Sequence, residues 1–309
     1  MSSRAVAYSG RVRIIVAGGA GFLGRPLVAA LTRQGHDPVV LTRRSDDLPK
    51  GYVHWNPDGS TGDWASVLDG SDAVVNLAGA SIAGRRWTPR RKRDLLQSRV
   101  LATRSLVEAM RHTASRPRIF VSASGVGYYG PRGGEEIGED EPASTDFLGQ
   151  LATQWEAEAR AATELGVRLA ILRNGLVLAA DGGILKRMAM PFRLGLGGPI
   201  GAGTQYMPWI HRRDWIDLVR WMLITDAAHG AFNATSPQPV TNEEFSRALA
   251  RAVRRPCLFR VPGGVMRVVF GELGESLLTG QRAVPRKALA MGFHFRWPQL
   301  DAALREALS

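Results

Sequence analysis

Three glycines spaced as GxxGxxG over residues 18–24 form the clearest chemical motif of the chain. They follow an apolar, β-branched run at 12–17 and precede a segment whose apolar residues have helical spacing. In such a loop the glycines permit a tight turn, close approach of the backbone to a pyrophosphate, and close helix–strand packing. The helix N-terminus offers its unpaired N–H groups to phosphate. The motif predicts dinucleotide binding rather than a purely structural turn. The predicted contact residues are Gly18, Gly21, Phe22, Leu23 and Gly24.

Arginines follow the second predicted strand, 38–42, about twenty residues beyond the glycines. A domain that takes NAD carries an acidic residue at this position, where it binds the ribose hydroxyls. This sequence instead has Thr42, Arg43 and Arg44. A guanidinium presents a planar fork of donors that suits a 2′-phosphate. The alternative is a pair of solvated loop charges, but the pattern favours NADP(H) as the cofactor.

Small residues end a later predicted strand at 73–77, where Leu77, Ala78 and Gly79 follow Asn76. Ligands of open α/β sheets bind at the carboxyl ends of strands, so these residues would let adenine or ribose lie close to the backbone. Arg99 lies on the long helix that begins after Thr88-Pro89. We expect Arg99 to reach the cofactor phosphates, the alternative being a surface ion pair.

The elements that position these residues alternate between strand and helix. Further strands are predicted at 118–122 and 167–172, with helical patterns between them. This order indicates an α/β fold, a Rossmann-type doubly wound parallel sheet, with a small, mostly helical C-terminal lobe.

The pattern changes after residue 178. Residues 181–205 are glycine-rich and predict loops that close over a ligand, and 241–244 form a capping box. We therefore predict an NADP-binding domain over 12–180, to which 207–235 return, and a substrate-side lobe over 181–206 and 236–309. Residues 1–11 are expected to be a flexible N-terminus without the apolar core of a signal peptide.

Composition narrows the class of protein. The chain has 309 residues, 45% of them hydrophobic, and no apolar run of the length that a membrane span needs. Its single cysteine, Cys257, excludes an intrachain disulfide; we interpret it as a small packed side chain rather than a reactive thiol. A reducing, cytoplasmic location follows. The net charge of +12 raises nucleic-acid binding as an alternative, with a dense patch at 85–93, but dispersed arginines favour a compositional bias. We expect no specific nucleic-acid partner, no membrane partner, and a monomer or homodimer.

Several segments carry a family resemblance. GGAGFLG at 18–24, NLAG at 76–79 and SASGVGYYG at 122–130 resemble the extended and atypical short-chain dehydrogenase/reductases. PFRLGLGGPIGAG at 191–203, WIHRRD at 209–214 and NATSPQPVTNEEF at 233–245 resemble its "epimerase family protein" branch, related to the NAD-dependent epimerases and dehydratases, with a C-terminal domain of unknown function.

The resemblance implies a serine and a Tyr-x-x-x-Lys pair, in which the lysine lowers the pKa of the tyrosine for proton exchange. Ser124 stands where the serine belongs, but the expected dyad segment reads FLGQL at 147–151 and lacks both side chains. Tyr128 is the candidate replacement phenol, while Tyr129-Gly130 matches a structural turn. No metal-ligand spacing occurs in the acidic stretch 135–141, which is interpreted as a solvated loop.

Two residues are candidates for the substrate pocket. His211 begins the segment after the glycine-rich loops, at a position that borders the pocket in relatives, and Asp214 is the candidate helix cap. Arg193 could bind an anionic substrate, or it belongs to a plain loop turn.

Two functions compete. The first is an NADP-dependent oxidoreductase or epimerase-like enzyme with altered proton transfer, acting on a small molecule; the family suggests a nucleotide sugar. The second is a non-catalytic NADP(H)-binding protein that senses redox state or regulates a partner.

Overall fold

The computed structural model describes residues 10–83 and 85–309, so the predicted flexible N-terminus falls almost wholly outside the described residues. The strands, in chain order, are β1 (Arg13–Ala17), β2 (Asp37–Thr42), β3 (Tyr52–His54), β4 (Ala73–Asn76), β5 (Ile119–Gly125), β6 (Glu136–Ile137), β7 (Arg168–Asn174), β8 (Leu176–Leu178), β9 (Tyr206–Met207), β10 (Trp209–His211), β11 (Gly230–Ala234), β12 (Val240–Thr241) and β13 (Arg282–Ala283).

The helices, in chain order, are α1 (Gly24–Arg33), α2 (Pro89–His112), α3 (Phe147–Arg160), α4 (Gly183–Arg193), α5 (Arg212–Ile224), α6 (Asn242–Ala252), α7 (Gly263–Phe270), α8 (Glu272–Ser276), α9 (Arg286–Ala290) and α10 (Leu300–Leu308). Short 3₁₀ turns lie at Asp63–Leu68, Val126–Tyr129 and Ala161–Leu165.

Seven of the strands form one parallel sheet in the order β11-β7-β5-β4-β1-β2-β3. Its central strands are continuous apolar runs because helices cover both faces. On one face α1 and α5 contribute Leu27 and Trp215 to the core, and on the other α2 and α3 contribute Leu106 and Ala159. The predicted doubly wound sheet is confirmed.

The C-terminal lobe has its own core, in which Leu185 of α4, Phe245 of α6 and Leu304 of α10 meet. The prediction of loops over 181–205 is wrong in part, because α4 occupies Gly183–Arg193. Pro191 inside α4 and the glycines on either side hide its helical pattern.

Helix caps follow the local sequence closely. The Thr88 side chain accepts a hydrogen bond from the Arg91 N–H, and Thr241 with Glu244 forms the predicted capping box. Asp214 does not cap α5 as predicted: His211 is the N-cap, and Asp214 is buried, accepting from the backbone N–H groups of the residues at 296 and 297.

Candidate cofactor and substrate site

A cavity of about 580 Å³ lies at the carboxyl ends of the central strands. The glycine loop and the start of α1 form one wall, and the residues after β4 form a second. The end of β5, one side of α3 and the beginning of α4 complete it. Among the predicted site residues, those that line the cavity are Gly18, Gly21, Phe22, Leu23, Gly24, Leu77, Ala78, Gly79, Arg99, Ser124 and Tyr128.

Neighbouring backbone leaves no room for side chains at Gly18 and Gly24 of the glycine loop. Gly18 has φ +77°, and a Cβ there would lie 2.9 Å from the Leu77 carbonyl carbon. A Cβ at Gly24 would lie 2.3 Å from the carbonyl oxygen of Gly18. This packing holds the first turn of α1 against the ends of β1 and β4, so the helix N-terminus faces the cavity. The glycine loop and the N-terminus of α1 together fit a dinucleotide pyrophosphate.

Arg99 is a buried guanidinium in the cavity wall. Its Nη1 donates to the Leu95 carbonyl and its Nη2 to the Ala80 carbonyl, both at 2.9 Å, while its buried Nε has no hydrogen-bond partner among the described residues. Burial, with a smaller effect of Arg91, lowers the pKa of Arg99 to about 10, so it stays protonated at neutral pH. It forms no ion pair with a described carboxylate. An anionic ligand group would supply the missing charge.

Arg43 and Arg44 stand beyond the wall of this cavity and are exposed to solvent. The Gly18 N–H donates to the Leu41 carbonyl at 3.3 Å, so the end of β2 lies directly beside the glycine loop. Thr42 is buried, and its hydroxyl accepts from the Arg44 N–H at 3.3 Å. The guanidinium groups of Arg43 and Arg44 are therefore accessible to a ligand that extends past the glycine loop.

Ser124 lies one residue before the end of β5 and belongs to a buried charged network. Its hydroxyl donates to Glu156 Oε1 at 2.8 Å, because a carboxylate can only accept. Glu156 is held by Arg173 through two hydrogen bonds of 2.8 and 3.0 Å, and by Arg160 at 2.9 Å. With its hydrogen engaged, Ser124 presents oxygen lone pairs to the cavity. It can accept a hydrogen bond from a ligand hydroxyl or amide.

The two neighbouring tyrosines have different surroundings. Tyr128 lines the cavity, and the Arg173 guanidinium carbon lies 3.5 Å from the centre of its ring. Tyr129 is buried, and its hydroxyl donates to Asn233 Oδ1 at 2.7 Å and accepts from Arg173 at 2.9 Å. Burial raises the pKa of Tyr129 to about 12, against the opposing effect of Arg173. Tyr129 is therefore a structural residue, and Tyr128 is the phenol available to a ligand.

Helix α3 faces the cavity with apolar side chains. Leu148, Leu151, Ala152 and Trp155 line it, whereas Phe147 packs edge-on against Trp87 with ring centres 5.2 Å apart. The predicted position of the missing dyad at 147–151 is therefore corrected. Two pairs of cavity-lining residues have the required i, i+4 spacing, Leu148 with Ala152 and Leu151 with Trp155. Trp155 is held by its hydrogen bond to the Thr103 hydroxyl, so we assign the dyad position to Leu148 and Ala152.

Neither predicted substrate-pocket residue lies in the cavity wall. Arg193 is exposed at the end of α4, and its carbonyl accepts from Arg255. His211 is buried, accepts from the Arg213 N–H as the cap of α5, and lies 2.5 Å from Glu306. Neither residue therefore lines this cavity, and a contact of Arg193 or His211 with a substrate stays a prediction.

The sequence analysis did not identify several residues of the site and its support. Arg187 of α4 and Asn174 at the end of β7 line the cavity, and Glu156 with Arg173 sits beneath Ser124. A usable signal existed for Arg173, because an arginine inside the apolar strand RLAILRN requires a buried partner.

The acidic stretch 135–141 is not simply a solvated loop. Glu139 is buried, and its carboxylate accepts from the backbone N–H groups of Asn233 and Lys287 at 3.0 and 3.1 Å. Burial raises the pKa of Glu139 above its ordinary value, against those hydrogen bonds. Glu139 therefore ties the segment after β5 to β11 and α9.

Two classes of feature are missing from the residues that the structure describes. No group of three histidine, cysteine or carboxylate side chains is arranged to hold a metal ion. None of the described helices combines the length and apolarity required to cross a bilayer.

Comparison with known proteins defines the class. The NAD dependent epimerase/dehydratase family matches residues 14–234, and a domain of unknown function, DUF1731, matches residues 261–307. The chain belongs to the NAD-dependent epimerase/dehydratase family, and the predicted resemblance is confirmed.

Individual relatives are similar over nearly the whole chain. Epimerase family protein SDR39U1 of Mus musculus is 38% identical over 302 residues, covering 96% of this chain and 100% of the relative. The crystal structure of human epimerase family protein SDR39U1 (isoform 2) with NADPH has a TM-score of 0.87 and 36% identity, covering 96% and 99% of the two chains. A nucleoside-diphosphate sugar epimerase from Corynebacterium glutamicum has a TM-score of 0.78 and 29% identity, covering 97% of this chain and 58% of its own.

Proposed function

We propose that this protein binds NADPH in the cavity described above. The main support is the glycine loop, whose close backbone packing at Gly18 and Gly24 leaves the N-terminus of α1 facing the cavity, where its N–H groups can bind a phosphate. Arg99 adds a buried positive charge that has no carboxylate partner among the described residues. The human relative whose structure contains NADPH is similar over almost the full length of both chains.

The preference for NADPH over NADH rests on Arg43 and Arg44. Both are exposed directly after β2, beside the glycine loop, where a 2′-phosphate on the adenosine ribose would emerge. Thr42, Leu77, Ala78 and Gly79 would border the adenosine half.

The proposed activity is oxidoreductase or epimerase-like chemistry on a small molecule. When bound, a nicotinamide cofactor supplies hydride transfer. Ser124 would accept a hydrogen bond from a substrate hydroxyl. Tyr128, four residues after Ser124 and in the same cavity wall, would be the phenol available to the substrate. A nucleotide sugar is the family-level substrate, supported by the name of the Corynebacterium glutamicum relative.

A non-catalytic NADP(H)-binding role is the second candidate. The observation that favours it is the apolar face of α3, where Leu148 and Ala152 provide neither phenol nor ammonium. Such a protein would bind NADP(H) and signal its redox state to a partner without turning over substrate.

Calorimetric titration with NADPH and NADH tests the binding proposal. We expect at least tenfold tighter binding of NADPH, which corresponds to about 1.4 kcal/mol. Equal affinities would contradict the assignment of NADP(H). Incubation with UDP-glucose and other nucleotide sugars, with product analysis, then separates the two functions, since only the enzyme converts one of them.

A further inference from the structure

Large exposed apolar side chains are concentrated in one part of the molecule. Of nine such residues in the described ranges, eight lie in two segments of the C-terminal lobe, and the ninth is Leu289. At the end of α4, Met190, Leu194 and Leu196 are exposed by 61–70%. In the segment after α6, Leu258 is 78% exposed, more than any other of the nine.

The same surface continues along the second segment. Phe259 follows Leu258, and α7 then presents Val265, Val268 and Val269 at i, i+3 and i+4, which is one stripe of the helix. The only buried side chain of α7 is Met266. We call these eight residues, in 190–196 and 258–269, the apolar patch.

Backbone hydrogen bonds join the second segment of the apolar patch to the residues directly after the first segment. The Val261 N–H donates to the Pro199 carbonyl at 2.8 Å, and the Gly201 N–H donates to the Val261 carbonyl at 2.9 Å. Arg255 also donates to the Arg193 carbonyl at 3.0 Å. The apolar patch is thus part of a single connected region, not two unrelated loops.

The charged residues of the two segments are all basic. Residues 186–196 and 254–269 contain seven lysine or arginine residues and no aspartate or glutamate. Arg260 and Arg267 are paired with Glu243 and Glu275 from neighbouring parts of the chain. Lys186, Arg193 and Arg254 form no ion pair with any carboxylate in the described part of the chain. Cations interspersed with protruding apolar side chains are typical of surfaces that lie in the headgroup region of an anionic bilayer.

We propose that the apolar patch docks this protein on an anionic membrane surface. Its apolar side chains would enter the boundary between headgroups and acyl chains, and Lys186, Arg193 and Arg254 would contact lipid phosphates. This differs from a membrane span, and it departs from the expectation, drawn from the lack of a long apolar run, that no membrane is a partner.

Charge argues against the apolar patch as a homodimer interface. A two-fold dimer brings the same surface of both subunits together, so Lys186, Arg193 and Arg254 of each copy would face the same cations of the other copy, while Glu243 and Glu275 are already paired with Arg260 and Arg267. Anionic lipid instead offers complementary charge. Because α4 also lines the cavity through Ile184 and Arg187, docking would bring one wall of the cavity close to the lipid surface.

Vesicle co-sedimentation tests this proposal with the full chain. The probes are phosphatidylcholine vesicles with and without phosphatidylglycerol. We expect binding to the vesicles that contain phosphatidylglycerol and little binding to phosphatidylcholine alone. Leu258→Ser with Val268→Ser removes apolar contacts, and Lys186→Glu with Arg193→Glu reverses charge; each double variant should bind at least tenfold more weakly.

Matched substitutions outside the patch serve as controls. Leu289→Ser removes the exposed hydrophobe that lies outside the patch, and Arg33→Glu with Arg305→Glu gives the same change in net charge on exposed positions elsewhere. These variants should bind vesicles like the unmodified protein, and all variants should keep its thermal unfolding midpoint, Tm.

Three results would overturn the proposal. They are an absence of binding to phosphatidylglycerol vesicles, equal weakening by patch and control variants, and a dimer in light scattering that the patch variants dissociate. The last result would assign the apolar patch to a second copy of the chain. None of these measurements depends on NADPH, so they test docking separately from the proposed cofactor function.

Discussion

At the scale of single residues, the site combines groups whose roles follow from local spacing with groups that only the fold brings together. Gly18 and Gly24 belong to the first kind, because a short motif between strand and helix dictates their contacts. Ser124, Glu156 and Arg173 belong to the second, since 32 and 17 residues separate Glu156 from its two partners. Sequence spacing carries no signal for such pairs beyond the buried arginine itself.

The arginines after β2 carry the first residue-scale prediction. Replacing Arg43 and Arg44 with alanine should remove most of the preference for NADPH, because the 2′-phosphate would lose its charged donors while the rest of the site is unchanged. The affinity for NADH should stay within about twofold, a difference of less than 0.5 kcal/mol.

Calorimetry on both nucleotides provides the measurement. Arg33→Ala with Lys50→Ala is the matched control, since both side chains are exposed and lie outside the cavity wall. A double variant at 43 and 44 that still prefers NADPH tenfold would show that the 2′-phosphate is recognised elsewhere.

At the scale of helices and strands, the sequence predicts most of what local interactions decide. The caps at Thr88 and Thr241 are confirmed because side chain and backbone meet within three residues. Helix α4 was not predicted, because Pro191 and the flanking glycines have low helix propensity. Tertiary contacts of its apolar side chains with the core of the C-terminal lobe stabilise the helix instead. The predicted dyad position on α3 was wrong by one residue. Periodicity defines the apolar stripe of the helix, but it does not tell which residues of the stripe line the cavity.

That corrected position determines where a proton donor should be engineered. The unmodified protein should reduce ordinary carbonyl substrates very slowly with NADPH, because Leu148 and Ala152 cannot transfer protons. Leu148→Tyr with Ala152→Lys should raise turnover, since proton transfer by a positioned group contributes roughly 10²–10⁴-fold. Each single variant should gain less, because a phenol without a nearby ammonium has a pKa of about 10.

A screen of carbonyl compounds that follows NADPH absorbance measures this effect. Leu148→Phe with Ala152→Lys is the control, because it matches the tyrosine variant in size but lacks the hydroxyl. Equal turnover in the phenylalanine and tyrosine variants would show that the phenol does no chemistry there. Fast turnover in the unmodified protein would direct attention to Tyr128.

At the scale of the whole molecule, composition gives the net charge of the protein, whereas the structure shows which basic residues are neutralised in ion pairs. The net charge of +12 suggested a nucleic-acid partner only as an alternative, and a sum over the chain cannot say where the charge lies. In the structure many arginines are neutralised in ion pairs, such as Arg251 with Asp301 and Arg104 with Glu158. Around the apolar patch, Lys186, Arg193 and Arg254 form no ion pair with a carboxylate among the described residues, so their charge is available to a partner.

Buried histidine makes the stability of the whole fold depend on pH. Burial lowers the pKa of His211 below its ordinary value of 6.5, with Arg213 and Arg212 acting in the same direction and Glu306 opposing them. The unfolded chain therefore takes up this proton at a higher pH than the folded chain does. Stability due to His211 is present above pH 6.5 and is lost as the pH falls below it.

We expect Tm to fall between pH 7.5 and pH 5.5 and to fall less in His211→Asn, which keeps a side chain able to cap α5 but cannot titrate. The difference between the two proteins over this interval should be on the order of 2 °C for a chain of this size. Differential scanning calorimetry at several pH values measures it.

His294→Asn is the control and should follow the unmodified protein. If His211→Asn loses stability to the same extent, carboxylates are not the reason. Those whose pKa is lowered, such as Asp181 beside Arg212, titrate below this pH interval, and Glu139, whose pKa burial raises, has an effect of the opposite sign. The remaining source would be His36, whose pKa burial also lowers, and His36→Asn would then carry the pH dependence.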